Sequence, residues 1–396
     1  MNKKIYMDYA ATTYTKPEVL KEMIPYFTEK FGNPSSLYSF SDETKSAIST
    51  ARERVAKAIN ADKNEIYFTA GGSEADNWAI KGIAFANSHR GRHIITTKIE
   101  HHAVLRTCEF LERNGFKITY LPVDENGFIS IEDLKNAITD ETILVSVMFA
   151  NNEVGTIEPI KEIGKICRER KIFFHTDAVQ AVGHIPINVK DMNIDLLSMA
   201  AHKFYGPKGI GALYIRKGVR IESLIHGGGQ EKGKRASTEN IAGIVGMGKA
   251  AELAVSEMKN ESLRLQKMRD RLMDGLSKIP YARINGPHGG PNRLPGNLDM
   301  SFIGIEGETL LLDLDYAGVY ASTGSACASA SLEPSHVLLA IGLLHEVAHG
   351  SVRLTLGAGN TEEDVDYVLK VLPEIVKRRR DMSPLWDEFL KKKGEK

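Results

Sequence analysis

The sequence predicts an α/β fold: a large domain with a mostly parallel sheet covered by helices on both faces, followed by a smaller α+β domain. Short apolar runs alternate with helix-like stretches between residues 65 and 216, as in a parallel sheet crossed by helices. These runs are continuous rather than alternating in polarity, so both faces of the sheet should be covered. Near residue 258 the pattern changes. A long polar helix leads into "NGPHGGPNRLPGN", and shorter elements run to the end. At 396 residues the chain also exceeds one ordinary core. The expected domains are 13–257 and 258–396, with residues 1–12 packed onto the second.

The elements follow in order. Thr15 reads as an N-cap with Pro17 in the first turn, and Val19, Leu20, Met23, Ile24 and Phe27 share one helical face. "FGNPSS" ends that helix and Ser41 opens another. Strands are expected at 65–69, 93–97, 117–123, 142–150, 172–176, 194–200 and 211–216, with helices opening near Ser73 and His101. Ligands of such sheets bind beyond the carboxyl ends of the strands, where Ser73, His101, Asn152, Asp177 and Lys203 fall. In the tail, "KRRR" reads as a solvated helix face and Pro384 as an interruption.

Composition narrows the function classes. Hydrophobic content of 42% with 26% charged residues describes a soluble globular protein. The 51 basic and 51 acidic residues cancel, so neither nucleic acid nor an anionic membrane is the expected partner. The opening "MNKKIYMDYAATT" lacks a signal-peptide core, and no stretch approaches a membrane span. Cys108, Cys167 and Cys327 are an odd count, which favours reduced thiols in a cytoplasm over a disulfide framework.

Two motifs are set aside. "HEVAH" (345–349) matches a zinc-hydrolase signature, but Gly342 and Gly350 bracket it and no histidine follows His349. "GGQEKGKR" (228–235) nearly matches a phosphate-binding loop, yet Arg235 replaces the hydroxyl that would hold magnesium.

Lys203 is harder to dismiss. It stands in "SMAAHKFYGPKGIG" (198–211), at the end of an apolar run, whereas an ordinary lysine belongs in a solvated loop. In "FTAGGSEADNWAI" two glycines precede Ser73, where the N–H groups of a helix start favour an anion. Glycine turns also cap helices for structural reasons alone. Asp177, in "FFHTDAVQ", lies just past a buried strand, where an acid is costly unless it meets a cation. A phosphate cradle, a buried acid and a strand-end lysine together point to pyridoxal phosphate. The acid would hold the pyridinium nitrogen protonated and the lysine would form a Schiff base.

"MDYAATT", "FGNPSS", "GGSEADN", "IEHHAVL", "ANNEVGTI", "HTDAVQAVG", "AHKFYGPKGIG", "TGSACASASLEPSH" and the ending "SPLW" together resemble the NifS/IscS-type cysteine desulfurases. These are fold-type I pyridoxal phosphate enzymes of the class V aminotransferase group. The similarity runs through nearly the whole chain in the family's order. "GSACAS" resembles the long-loop subgroup of NifS and IscS, and the "GHHC" pattern of the SufS subgroup is absent.

The resemblance implies the roles. Lys203 matches the Schiff-base lysine, Asp177 the partner of the ring nitrogen, and His101 the histidine stacked on the ring. Asn152 and Gln180 match residues that bond the phenolic oxygen; Gly72, Ser73 and His202 match the phosphate shell. Thr238 matches a threonine reaching the phosphate from a partner subunit, which implies a homodimer. Arg353 matches the arginine that grips the substrate carboxylate, a task suited to its fork. Cys327 matches the cysteine that receives sulfur. Its setting, "ASTGSACASAS", has almost no side-chain bulk to hold it still, so an accessible, reactive thiol is expected.

The implied reaction converts L-cysteine to L-alanine. Lys203 removes the Cα proton, Cys327 takes the sulfur as a persulfide, and His101 carries a proton. An iron–sulfur scaffold protein of NifU/IscU type would accept the sulfur. No intrinsic metal is expected, although Cys327 could be shared with such a scaffold as an iron–sulfur ligand. Three positions depart from the family. Ala200 replaces a serine that donates to the phosphate, Ser237 replaces a glycine beside Thr238, and Ser73 replaces a common threonine. The first two bear on cofactor affinity more than on chemistry. Two alternatives stay open: a selenocysteine lyase or other cysteine-processing lyase, and a zinc-binding or non-catalytic protein on the same fold.

Overall fold

The computed structural model describes residues 4–323 and 334–394; Cys327 lies outside them. After a short first strand, β1 (Ile5–Tyr6), seven strands build the main sheet. They are β2 (Ile66–Thr69), β3 (His93–Thr97), β4 (Lys117–Leu121), β5 (Thr142–Ser146), β6 (Phe173–Asp177), β7 (Leu196–Ala200) and β8 (Gly211–Ile215). Their order is β2-β8-β7-β6-β5-β3-β4. β8 is antiparallel to both its neighbours and the other pairs are parallel. β3, β5, β7 and β8 are buried along their whole length. That burial is what their unbroken apolar runs require. Only β4, at the sheet edge, is largely open.

Each face of the sheet has its own core. Helix Asp42–Ala58 and the first half of helix Ile241–Leu276 cover one face through residues such as Val55, Ile244 and Met247. Helices Gly72–Asn87 and His102–Glu112 cover the other through Trp78, Ile83 and Val104. Burying a side chain such as Phe174 or Ile95 contributes about 1.5–3 kcal/mol each, so the sheet is the stable platform for what its ends carry. Cys108 and Cys167 are free and buried in these cores. Among the described residues, no helix is long and apolar enough to cross a membrane.

Helix Ile241–Leu276 is continuous over 36 residues. The expected boundary at 257/258 therefore falls inside a helix. Its early residues bury in the first core, and Leu265, Met268, Leu272 and Leu276 bury in a second. The second core is organised by β9 (Ala282–Asn285), β10 (Asn297–Phe302), β11 (Val319–Tyr320) and β12 (Ser351–Thr355). β12, β10 and β9 form an antiparallel sheet, while β11 pairs with β1. Ile5 and Met7 pack into this core, which brings the chain's start against its end.

Two local expectations at the first helix are corrected. Lys16, not Thr15, precedes helix Pro17–Met23, and it gives no side-chain cap. The Thr15 hydroxyl instead reaches the Gly206 carbonyl, because this segment is drawn onto the loop after Lys203. The expected helix through Phe27 is broken into Pro17–Met23 and Pro25–Thr28, since Pro25 has no N–H to continue the ladder. The tail helix stops at Asp381, and Pro384 starts the next one. "HEVAH" forms a single five-residue turn of helix.

Candidate active site

The chemistry-bearing residues gather at the carboxyl ends of the strands. Helix Gly72–Asn87 opens directly behind β2. A Cβ on Gly72 would lie 2.7 Å from Val179 Cγ2, so only glycine lets this turn close over the site. β6 ends on Asp177, which pairs in register with Ser198 of β7, and β7 runs through Ala200 into the turn Ala201–Lys203. A cavity of about 450 Å³ results. It is lined by Gly72, Ser73, His101, Asn152, Asp177, Gln180, Ala200, His202, Lys203 and Arg353. Thr238 is not among the lining residues; it is exposed, next to Ser237. Ser237 holds a φ of +102°, a conformation that suits glycine.

The floor of the cavity is electrostatically arranged. Asp177 is buried, and its Oδ1 accepts from the Val179 N–H at 2.9 Å. Burial raises its pKa above the ordinary value, while His101, the Val179 N–H and Lys203 oppose the rise. Lys203 Nζ donates to the Ala10 and Ala11 carbonyls at 2.6 and 2.7 Å. Gln180 Nε2 reaches the same Ala10 oxygen at 2.9 Å. Thr13 bonds the His202 carbonyl through both its N–H and its hydroxyl. The "MDYAATT" segment is thus a strap across the lysine turn.

Burial favours the neutral form of both histidines of the floor. His101 caps helix His102–Glu112, its Nδ1 accepting the Ala103 N–H at 3.1 Å. In the neutral ring the proton therefore sits on Nε2. Burial lowers the His101 pKa against the pull of Asp177. His202 Nδ1 lies 3.1 Å from the Thr12 hydroxyl, and burial with Lys203 and Lys208 pushes its pKa down to about 4.

One wall comes from the second sheet. Arg353 on β12 is 2% exposed. It donates to Asp8 Oδ1 at 2.8 Å and to the Asn152 carbonyl at 3.1 Å, and its Nε has no hydrogen-bond partner among the described residues.

Sequence reasoning passed over other lining groups: Asp76, Glu100, His102, Glu153 and His336. Glu100 Oε1 accepts from the Thr97 hydroxyl and the Met148 N–H at 2.9 and 2.8 Å, and Oε2 has no partner among the described residues. Glu153 accepts from Ser335, and burial raises its pKa to about 8. His336 donates to the Glu100 carbonyl at 2.9 Å, and its ring lies 4.8 Å from that of His102. Glu100 in "KIEHH" follows β3 closely and so carries the strand-end signal that marked Asp177, whereas Asp76 lies inside a helix and carries none.

Fold and cavity together define an α/β enzyme whose strand-end site suits an anion at a helix start, a buried acid below and a lysine beside it. Known proteins agree. The aminotransferase class-V family model matches residues 5–368. A protein named cysteine desulfurase IscS from Clostridium botulinum (strain Hall) is 72% identical, over 100% of both chains. One of the same name from Methanosarcina thermophila is 61% identical over 97% of this chain and 95% of its own. A solved NifS-like protein superposes with a TM-score of 0.89 at 42% identity, over 95% of this chain and 100% of that one. The chain belongs to the class-V aminotransferase family and, within it, to the NifS/IscS-type cysteine desulfurases, which are pyridoxal phosphate enzymes.

The residues present fit that cofactor. The glycine-closed helix start, the enclosed Asp177 and the apolar walls of Met148, Ala150 and Val179 suit a phosphorylated, cationic ring. Ala200 is the weak point. Its Cβ lies 3.6 Å from where a Gly72 Cβ would stand, so it offers a methyl to the turn where a serine would offer a hydroxyl.

Proposed function

We propose that Lys203, Asp177 and Arg353 are the working groups with which this cysteine desulfurase converts L-cysteine to L-alanine and passes the sulfur to Cys327. The observation that carries this is their convergence on one cavity from β6, the turn after β7, and β12. Asp177 would face the ring nitrogen of the cofactor. Gly72, Ser73 and His202 would surround its phosphate, Asn152 and Gln180 its phenolic oxygen, and His101 would lie over the ring. Pyridoxal phosphate, when bound, supplies an electron sink conjugated to the substrate's Cα.

The chain's own groups do the rest. Arg353, oriented by Asp8 and the Asn152 carbonyl, presents to the substrate carboxylate an Nε–H that has no partner among the described residues. Lys203 moves the proton at Cα, and the Nε2–H of His101 is available for a second transfer. The Cys327 thiolate attacks the substrate sulfur. An S–S bond forms as the C–S bond breaks, and its electron pair remains with the carbon fragment, which is protonated to alanine. In sum, cysteine and one thiol become alanine and one persulfide.

The exposed position of Thr238 supports a homodimer in which it serves the partner's site. The exposed Ile24, Phe27, Phe31, Leu37 and Phe40 offer apolar surface for such a contact. The persulfide would pass to a scaffold protein of NifU/IscU type, and the reduced Cys108 and Cys167 suit a cytoplasmic setting. The test is incubation with L-cysteine and a thiol, assaying alanine and sulfide together. Cys327→Ser should bind cofactor and cysteine yet stop making alanine. Near-normal alanine from that variant would favour a selenocysteine lyase or related lyase instead.

A further inference from the structure

Beside Asp177 lies a second buried acid that the proposed chemistry does not use. Asp76, one turn into helix Gly72–Asn87, is 1% exposed and lines the cavity, and its Oδ1 has no hydrogen-bond partner among the described residues. His175 precedes Asp177 by two positions on β6, on the same face of the strand. Its Nδ1 is 2.8 Å from the Ser146 hydroxyl and its Nε2 is 3.0 Å from the Ser198 hydroxyl. Ser198 also acts on Asp76, favouring its charged form against the effect of burial. Ser146, His175 and Ser198 thus form a hydrogen-bonded chain next to Asp76, behind the acid that faces the cavity.

His175 Nε2 and Asp76 Oδ1 are 3.6 Å apart, beyond a hydrogen bond. An ion pair would need a protonated imidazole, and burial pushes the His175 pKa down to about 3. Burial, with the like charges of Asp177 and Glu100, pushes the Asp76 pKa up. Asp177 in turn faces His101 and Lys203. Two buried carboxyls lining one cavity do not readily both ionise, so one proton has to be placed. On Asp177 it would weaken the hold on a pyridinium.

We propose that Asp76 is a positioning residue that keeps this proton, so that the Asp76–His175 pair adds no net charge and Asp177 alone presents a carboxylate to the cofactor's ring nitrogen. The inference rests on the role given to Asp177 above.

The test compares full-length parent and Asp76→Asn at saturating cofactor by urea unfolding from pH 5 to pH 8. A proton kept in the fold is released on unfolding, so the parent loses stability with rising pH relative to a variant that has no carboxyl there. The variant-to-parent ratio of folding constants should climb by about tenfold per pH unit. A ratio flat with pH would show Asp76 ionised in the fold and overturn the proposal. The slope does not depend on any constant offset in stability, so Asp76→Ala serves equally if Asp76→Asn does not fold. Asp76→Asn should also keep the cofactor dissociation constant within about threefold and leave the pH midpoint of the visible absorbance unmoved. A shift of about one pH unit or more would mean that an Asp76 charge acts on the ring, and the proposal fails. Asp177→Asn separates the two readings. If it binds cofactor as tightly as the parent, the role of Asp177 fails, while the pH slope still decides Asp76.

Discussion

Asp177 and Lys203 stand at the ends of two adjacent parallel strands, whereas Arg353 comes from the second sheet and is held by Asp8, 345 residues away in sequence. The floor of the cavity therefore needs only the main sheet in register. The wall needs both cores and the chain's first residues docked together. A defect in the floor should remove chemistry and leave binding surfaces intact. A defect in the wall should remove substrate binding and leave the cofactor in place.

The largest effect tests the floor. Lys203→Ala should abolish turnover and the reducible cofactor linkage while circular dichroism stays unchanged, because its Nζ holds the carbonyls of the Ala10–Ala11 strap. A linkage that survives borohydride treatment in this variant would move the attachment elsewhere.

Arg353→Lys tests the wall. One ammonium cannot span Asp8, the Asn152 carbonyl and a substrate carboxylate. The fall in kcat/KM should be about a hundredfold, chiefly through KM, with the cofactor spectrum retained. An equal fall in kcat at unchanged KM would place Arg353 in the chemistry instead.

A smaller effect concerns the phosphate side of the floor. Ala200→Ser restores a hydroxyl donor, a contribution of about 1.5–3 kcal/mol to a charged acceptor, and should slow cofactor loss on dialysis. Ser237 sits at φ +102°, so Ser237→Gly should also raise stability, by about 1 kcal/mol. Dissociation rates for both Ala200 backgrounds, each with Ser237 and with glycine, sharpen the comparison. No slowing in either background rejects the missing-donor argument. Slowing only beside Ser237→Gly makes Ser237 the replacement donor.

The smallest effect lies outside both regions. His345→Ala and His349→Ala should leave the metal content of the purified protein unchanged. A one-to-one zinc content lost in either variant would revive the hydrolase signature.

The main-sheet strands, the strand-end placement of Asp177 and Lys203, and the helix start at Gly72 and Ser73 were legible because each depends on local pattern. An unbroken apolar run, a glycine pair and an acid past a strand end are all short-range signals. Matching of long motifs added Gln180 and Arg353, and gave roles to His101 and Asn152, which the strand-end rule had only placed. The cap at Lys16 and the break at Pro25 were misread because Thr15 is claimed by Gly206, and the break interrupts a pattern that otherwise looks helical.

The sequence alone thus determined the α/β class, the order of the strands along the chain, and which residues could carry cofactor chemistry. Only the tertiary structure decided that one helix runs unbroken through 257/258, that Asp8 meets Arg353, and that Asp76 lines the same cavity as Asp177 with His175 Nε2 3.6 Å from it. The physical reason is range. Periodicity and turn chemistry act over a few residues and are written in the chain. A contact across hundreds of residues exists only after two cores have packed, and burial then sets the charge of every acid between them.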